Sequence, residues 1–314
     1  MRKRNILSIV FICLTFWAMG LGFRMMKSLY EQKKTIHLAA YTDLGSLDPH
    51  KALDTDSINV LLNTQEGLYR LKENGSYILG LAKEEPIVSK DQCRYTFKLK
   101  KVKWSDGKPL KAEDFVFAWR RLVDPRTKSP HAYLLDNILK NAKEIRLGNK
   151  PSQSLGVSVN AKGELVIELE HPVHYLKALL DQPALYPLRK DAIKKAGGSF
   201  GDDAKFIPSI GPYQVKNWKK YQASWLYEKN KEYYDAKHVN QDRVQVKVYP
   251  SLTSAFKEFK RGKLDLLPEV GDRLMDLAPS YDLTIAPEQS VYYLRKFQVQ
   301  VSHPLNFSQR ESCG

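Results

Sequence analysis

Residues 104–125, WSDGKPLKAEDFVFAWRRLVDP, hold a turn, a helix and a helix stop in unbroken succession. Asp106-Gly107 marks a tight turn. Phe115, Ala118, Trp119 and Leu122 then recur at i, i+3, i+4, i+7, the stripe of an amphipathic helix. Asp124-Pro125 ends it, because the residue before a proline is pushed out of the helical region. Just upstream, Tyr95, Phe97 and Leu99 alternate with Thr96, Lys98 and Lys100, which reads as a half-buried strand. A strand followed at once by a helix with one apolar stripe calls for a mixed α/β core. The three carboxylates raise the question of a reaction centre. Each stands where structure wants it: Asp106 in the turn, Glu113 and Asp114 in the first helical turn, where a negative charge suits exposed N–H groups and the dipole. They read as scaffold.

The same alternation marks LVIELE (165–170) and VQVKVYP (244–250), and GPYQVKNW (211–218) enters a strand through a Gly-Pro turn. In SLTSAFKEFKRGKLDLL (251–267), Leu252, Ala255, Phe256 and Phe259 form a helical stripe, Gly262 ends the helix and LDLL reads as a buried strand. Strand, helix, glycine, strand is a crossover of the α/β kind. No repeat and no low-complexity linker interrupts the chain, so lobes that exchange chain segments are expected.

Composition narrows the function. The chain has 314 residues, 43% hydrophobic, and a formal charge of +15. Residues 1–34 carry a net +6 of this and the remainder +9, which favours an anionic surface such as a membrane or cell wall. The lysines are spread thinly. KLKKVK (98–103) reads as a solvated strand face, and no nucleic-acid partner is expected. MRKR followed by the uncharged stretch 5–23 reads as a signal peptide or an N-terminal membrane anchor, about 28 Å long as a helix, with 24–35 as a linker. Export follows, to the extracytoplasmic face of a bacterial cytoplasmic membrane. Cys13, Cys93 and Cys313 form no CxxC, so neither a zinc knuckle nor a redox pair is supported. His171 and His174 in EHPVHYL lack the spacing of a zinc-protease helix, and no GxSxG, P-loop or GxGxxG occurs. No enzyme, cofactor or metal is expected. An extracellular hydrolase would need a nucleophile or metal site that the sequence does not offer.

Seven stretches, in order, carry a resemblance: GSLDPHKA (45–52), QEGLYRL (65–71), YTFKLKKVKWSDGKPLKAEDFVFAWRRLVDPRTKSP (95–130), LGVSVNAKGELVIELEHPVHYLKALL (155–180), IGPYQVKNWKK (210–220), KNKEYYDAKHVNQDRVQV (229–246) and the AFKEFKRGKLDLL segment. The chain resembles the oligopeptide-binding proteins of ABC importers, the family 5 extracellular solute-binding proteins, over roughly residues 36–297. The resemblance implies an α/β, periplasmic-binding-protein-like, two-lobed fold that closes on an extended peptide and reads its backbone by strand-like hydrogen bonds, with an oligopeptide ligand and ABC permease subunits as partners. Lobe I would be 36–70 plus 188–300, lobe II the insert 71–187, and 301–314 a polar tail. In the family the loop after LDPHK lines the cleft; here it is Leu53, Asp54, Thr55 and Asp56. An aromatic often follows the Ser-Pro after the helix stop; here SPHAY places His131 there and Tyr133 two residues on. Asp54 and Asp56 are equally placed to cap the next helix, and His131 to be an exposed loop residue.

The sequence departs from the family pattern in three ways. Cys13 follows Val-Phe-Ile inside the apolar run, so lipidation is not expected. Lys111 stands where a Thr cap is common. YYLRKF (292–297) resembles the strand before the family's third lobe, so the fold is expected to be incomplete, that lobe missing, with weak peptide binding as the consequence. A surface adhesin or a pheromone-type receptor reusing the fold is the alternative.

Overall fold

The computed structural model describes residues 35–72 and 74–268. The expected signal or anchor segment 1–23, the linker up to residue 34, YYLRKF, the tail 301–314 and the part of lobe I beyond 268 lie outside the described residues. Among the described residues no helix is long and apolar enough to cross a membrane.

In chain order the first elements are β1 (Thr35–Ala40), α1 (Thr55–Thr64), β2 (Tyr69–Leu71), β3 (Tyr77–Leu79), β4 (Ile87–Val88) and β5 (Arg94–Phe97). Then come α2 (Ala112–Val123), α3 (Ala142–Arg146), β6 (Val157–Val159), β7 (Leu165–Glu168), α4 (Leu176–Leu180) and α5 (Lys190–Ala196). The last are β8 (Tyr213–Lys216), β9 (Ser224–Lys229), β10 (Arg243–Val248) and α6 (Leu252–Lys260).

One four-stranded sheet has the order β1-β10-β9-β8. β1 lies parallel to β10, with Ile36 opposite Val244, and the other pairs are antiparallel. The second four-stranded sheet, β4-β5-β7-β6, is wholly antiparallel and drawn from the intervening chain, as is the β2-β3 pair. The first sheet is thus closed by strands from either side of a long intervening stretch of chain. Each sheet has its own core. Val60 of α1, Trp218, Trp225 and Val246 pack on the first. A larger core joins α2 to the second sheet and runs on to Phe200 and Ile210.

The 104–125 segment folds as its residues dictate. Gly107 takes φ +81°, and the Trp104 N–H donates to the Lys108 carbonyl at 2.8 Å, closing a tight hairpin. Phe115, Ala118, Trp119 and Leu122 are all buried, in one core with Trp104. The Phe115 and Trp119 rings meet edge to face at 6.1 Å, the favoured aromatic geometry. Asp106 accepts two hydrogen bonds from Arg189, at 2.7 and 2.8 Å. Asp114 accepts from the Lys111 N–H at 3.1 Å and from Trp104 Nε1 at 3.3 Å. That is half of a capping box, since a lysine side chain has no acceptor to complete it.

Three local readings change. β5 ends at Phe97, and Lys100 turns inward instead of facing solvent; its Nζ donates to the Leu79 carbonyl at 3.0 Å and to that of Gly80. In β7, Leu165, Val166 and Ile167 are all buried, because this strand lies between β5 and β6 and is covered on both faces. After α6, which Ser251 caps, Gly262 turns the chain at φ +68° and Leu266 forms a parallel bridge to Leu38. The crossover is therefore present, but of its last four residues only Leu264 is buried.

Candidate functional site

The LDPHK loop is built around a carboxylate that water does not reach. Asp48 is fully buried, so it needs a partner or a proton. Arg121 of α2 supplies the partner in fork geometry, Nη1 to Oδ1 at 2.9 Å and Nη2 to Oδ2 at 2.6 Å. Burial works against the Asp48 charge, yet the Arg121 guanidinium and the His50 backbone N–H, which donates to Oδ1 at 3.1 Å, hold its carboxyl below the usual range. His50 lies against the same guanidinium, Nδ1 at 2.7 Å from Nη1. A guanidinium only donates, so His50 Nδ1 accepts and the ring is neutral; burial pushes its pKa down to about 3.

From this anchor two loops are tied together. Ser129 Oγ donates to the His50 carbonyl at 2.7 Å, and His131 Nε2 donates to the Ala52 carbonyl at 2.7 Å. The expected ligand-lining residues begin at the next position. Leu53 is 70% exposed. Asp54 is the N-cap of α1: its Oδ1 accepts from the Ser57 N–H at 2.7 Å, its Oδ2 from the Gly45 N–H at 3.1 Å. A Cβ at position 45 would lie 2.6 Å from Asp54 Oδ2, so any larger residue there would have to displace the capping carboxylate. Thr55 is exposed in the first turn of α1, and Asp56 accepts from the Thr42 hydroxyl at 2.5 Å. On the other loop His131 is half-buried, while Tyr133 is 62% exposed. The structure thus brings 53–56 and 131–133 together through the Ala52–His131 bond. It gives Asp54, Asp56 and His131 internal partners and leaves Leu53, Thr55 and Tyr133 open to solvent.

A second polar cluster was not foreseen. Glu66, 4% exposed, accepts from the Tyr234 hydroxyl at 2.7 Å. Arg70 donates to the Tyr233 hydroxyl at 3.1 Å, and Lys100 Nζ sits 4.4 Å above the Tyr234 ring. Burial pushes the Glu66 carboxyl up and the Lys100 ammonium down. These bonds fasten QEGLYRL and the Lys100 turn to KNKEYYDA, which follows β9. The available signal was the placing of ionisable groups inside otherwise apolar runs, such as Glu66 and Arg70 in QEGLYRL. Arg121 was missed because its partner lies in a distant segment.

Ser129 and His131 spend their side chains on main-chain carbonyls, which leaves no hydroxyl–imidazole pair at this junction. Among the described residues no group of three or more His, Cys, Asp or Glu is arranged to hold a metal ion.

The family model for bacterial extracellular solute-binding proteins, family 5, matches residues 76–298. The dipeptide-binding protein of Lactococcus lactis is 34% identical over 238 residues, 74% of this chain and 43% of that protein. The periplasmic oligopeptide-binding protein OppA of Salmonella typhimurium is 33% identical over 236 residues, again 74% and 43%. Among solved structures, Listeria monocytogenes OppA bound to peptide superposes with TM-score 0.76 at 31% identity, over 79% of this chain and 49% of that one. The pheromone receptor PrgZ gives 0.74 at 36% identity, over the same shares. The chain thus spans about half the length of the proteins it matches, or somewhat less.

Proposed function

The chain belongs to the family 5 bacterial extracellular solute-binding proteins, and from that membership we propose that it captures oligopeptides outside the cytoplasm for an ABC importer. The observation that supports this most is the junction of the LDPHK loop with the loop after α2. A hydrogen-bonded network of zero net charge at Asp48, His50, Arg121 and His131 holds two loops together, and Leu53, Thr55 and Tyr133 stand exposed beside it. Rigid support under exposed, uncharged side chains suits a ligand read by its backbone, with loose demands on its side chains.

In this reading lobe I takes residues 36–70 and 188–300, lobe II takes 71–187, and Lys100 of the insert, over the Tyr234 ring, ties lobe II to the Glu66–Tyr234 cluster of lobe I. The basic start and uncharged run of residues 1–23 direct the body across the membrane as a cleaved signal or a retained anchor, without lipidation, to meet permease subunits there. Catalysis plays no part.

In this reading the exposed Leu53, Thr55 and Tyr133 offer the peptide an open, wet surface. Hydrogen bonds made there are worth about 0.5–1.5 kcal/mol each net, whereas immobilising a peptide loses several kcal/mol. Binding by this chain alone is therefore weak, with Kd on the order of millimolar. Titration calorimetry of the purified chain with a mixed peptide library tests it: sub-micromolar binding overturns the weak-affinity reading, and heat from a single peptide sequence only favours the second reading. That second reading, a receptor for one signalling peptide, is favoured by the 36% identity to the pheromone receptor.

A further inference from the structure

The KLKKVK run, read from sequence as a solvated strand face, forms something more specific. Together with the hairpin that follows, it borders an open cleft of about 1040 Å³. Six exposed lysines ring it: Lys83, Lys98, Lys101, Lys103, Lys111 and Lys162. Lys100 also borders the cleft, but its ammonium is turned onto main-chain carbonyls. The acids nearby are Glu113 and Glu164 in the lining, Glu84 paired with Lys98 at 2.8 Å, and Glu232 near Lys103 at 3.7 Å. The floor between the lysines is aliphatic, with Leu99, Val102 and Leu110.

We propose that this lysine-ringed cleft docks on the anionic phospholipid headgroups of the membrane outer face. Two features of the lining favour lipid over an acidic protein segment. All its cations are lysines and none is arginine, whereas fixed recognition of carboxylates and protein partners draws on arginine forks. No aromatic side chain lines it either, and aromatic anchors mark protein interfaces and single-stranded nucleic-acid grooves. Point charges on long flexible stems, set around a short aliphatic floor, match a diffuse anionic surface whose headgroups move laterally. Docking there holds the peptide-binding body beside the membrane that carries its permease. The inference rests on the extracytoplasmic reading, but the vesicle measurement below and peptide titration fail independently.

The test is co-sedimentation of the full chain with vesicles of phosphatidylcholine alone or with about a third phosphatidylglycerol, at low and high salt. A groove variant carries Lys101→Glu, Lys111→Glu and Lys162→Glu. A control with the same charge change carries Lys195→Glu, Lys216→Glu and Lys219→Glu, in a separate basic cleft beside β8. The apolar segment at 5–23 is common to all three proteins, so differences among them report the clefts. The native chain is expected to prefer the anionic vesicles at least tenfold at low salt and to lose that preference at high salt. The groove variant loses it at low salt and the control keeps it. A Lys→Gln version of the groove variant, compared by thermal unfolding, shows whether the fold is intact. Equal loss in groove variant and control, or full preference in the groove variant, overturns the proposal. So does tighter binding of polyglutamate than of vesicles at the groove, which assigns it to an acidic protein segment.

Discussion

Asp48 shows most clearly how one side chain sets the terms for its neighbours. A fully buried carboxylate is tolerable only with a matched cation, and Arg121 reaches it from another segment in bidentate geometry. Arg121→Met should destabilise the fold by about 3–5 kcal/mol, because it strands the charge; denaturant unfolding that shows a loss under about 1 kcal/mol would remove the pair from the account. The pH dependence has a definite sign. Asp48 titrates below its unfolded value, so its contribution is complete above the ordinary aspartate range and is lost as pH falls through the lowered pKa. The native chain should lose stability on acidification, and Arg121→Met should show less of that slope. Leu53→Ala and Tyr133→Ala, at exposed positions, should leave stability within about 0.5 kcal/mol while reducing peptide binding. Of these residues, Leu53 to Asp56, His131 and Tyr133 were legible as a candidate site through the ordered motifs. Their division into partnered and open side chains was not, because capping of α1 by Asp54 and the His131–Ala52 bond depend on which loops meet in space.

Local elements were read best where chemistry and period agree. The helix in 104–125 has a turn glycine, a stripe, first-turn acids and a proline stop, and all four signals point to one structure. Trp104→Ala should cost about 3–5 kcal/mol, as for a core aromatic, and a calorimetric melt shifted by only a degree or two would contradict its burial. The half-made cap gives a prediction of opposite sign. Lys111 cannot accept a hydrogen bond, so Lys111→Thr should complete the box with Asp114 and stabilise by ~1 kcal/mol. A lower melting temperature for that variant would show that the lysine stem packs usefully there. Period misled where burial comes from more than one side. β7 reads as alternating, but neighbouring strands and packed layers bury Val166 along with Leu165 and Ile167. Lys100 looks like an outward residue of a strand, yet the strand ends three residues earlier and leaves its stem free to cross to Gly80 and Tyr234.

At the scale of the whole molecule, the ordering of motifs carried more than any single one. Segments on either side of a long insert pair as β1 and β10, so a mixed sheet is completed only after the second sheet's residues have been spent. The Asp48–Arg121 pair and the Glu66–Tyr234 cluster then fasten distant segments to each other. No periodicity analysis foresees such links, since each partner alone is an ordinary polar residue. The central proposal is that peptide meets this chain where the 48–56 loop and the 129–133 loop are tied together. Nuclear magnetic resonance of amide-labelled chain, titrated to several millimolar with short peptides of mixed sequence, addresses that claim directly and tolerates weak affinity. The account predicts shifts concentrated at Leu53–Asp56 and Ala132–Leu134, similar for different peptide sequences, and lost in the Leu53→Ala, Tyr133→Ala double variant. Shifts confined to residues outside both loops, or unchanged in the double variant, would contradict it.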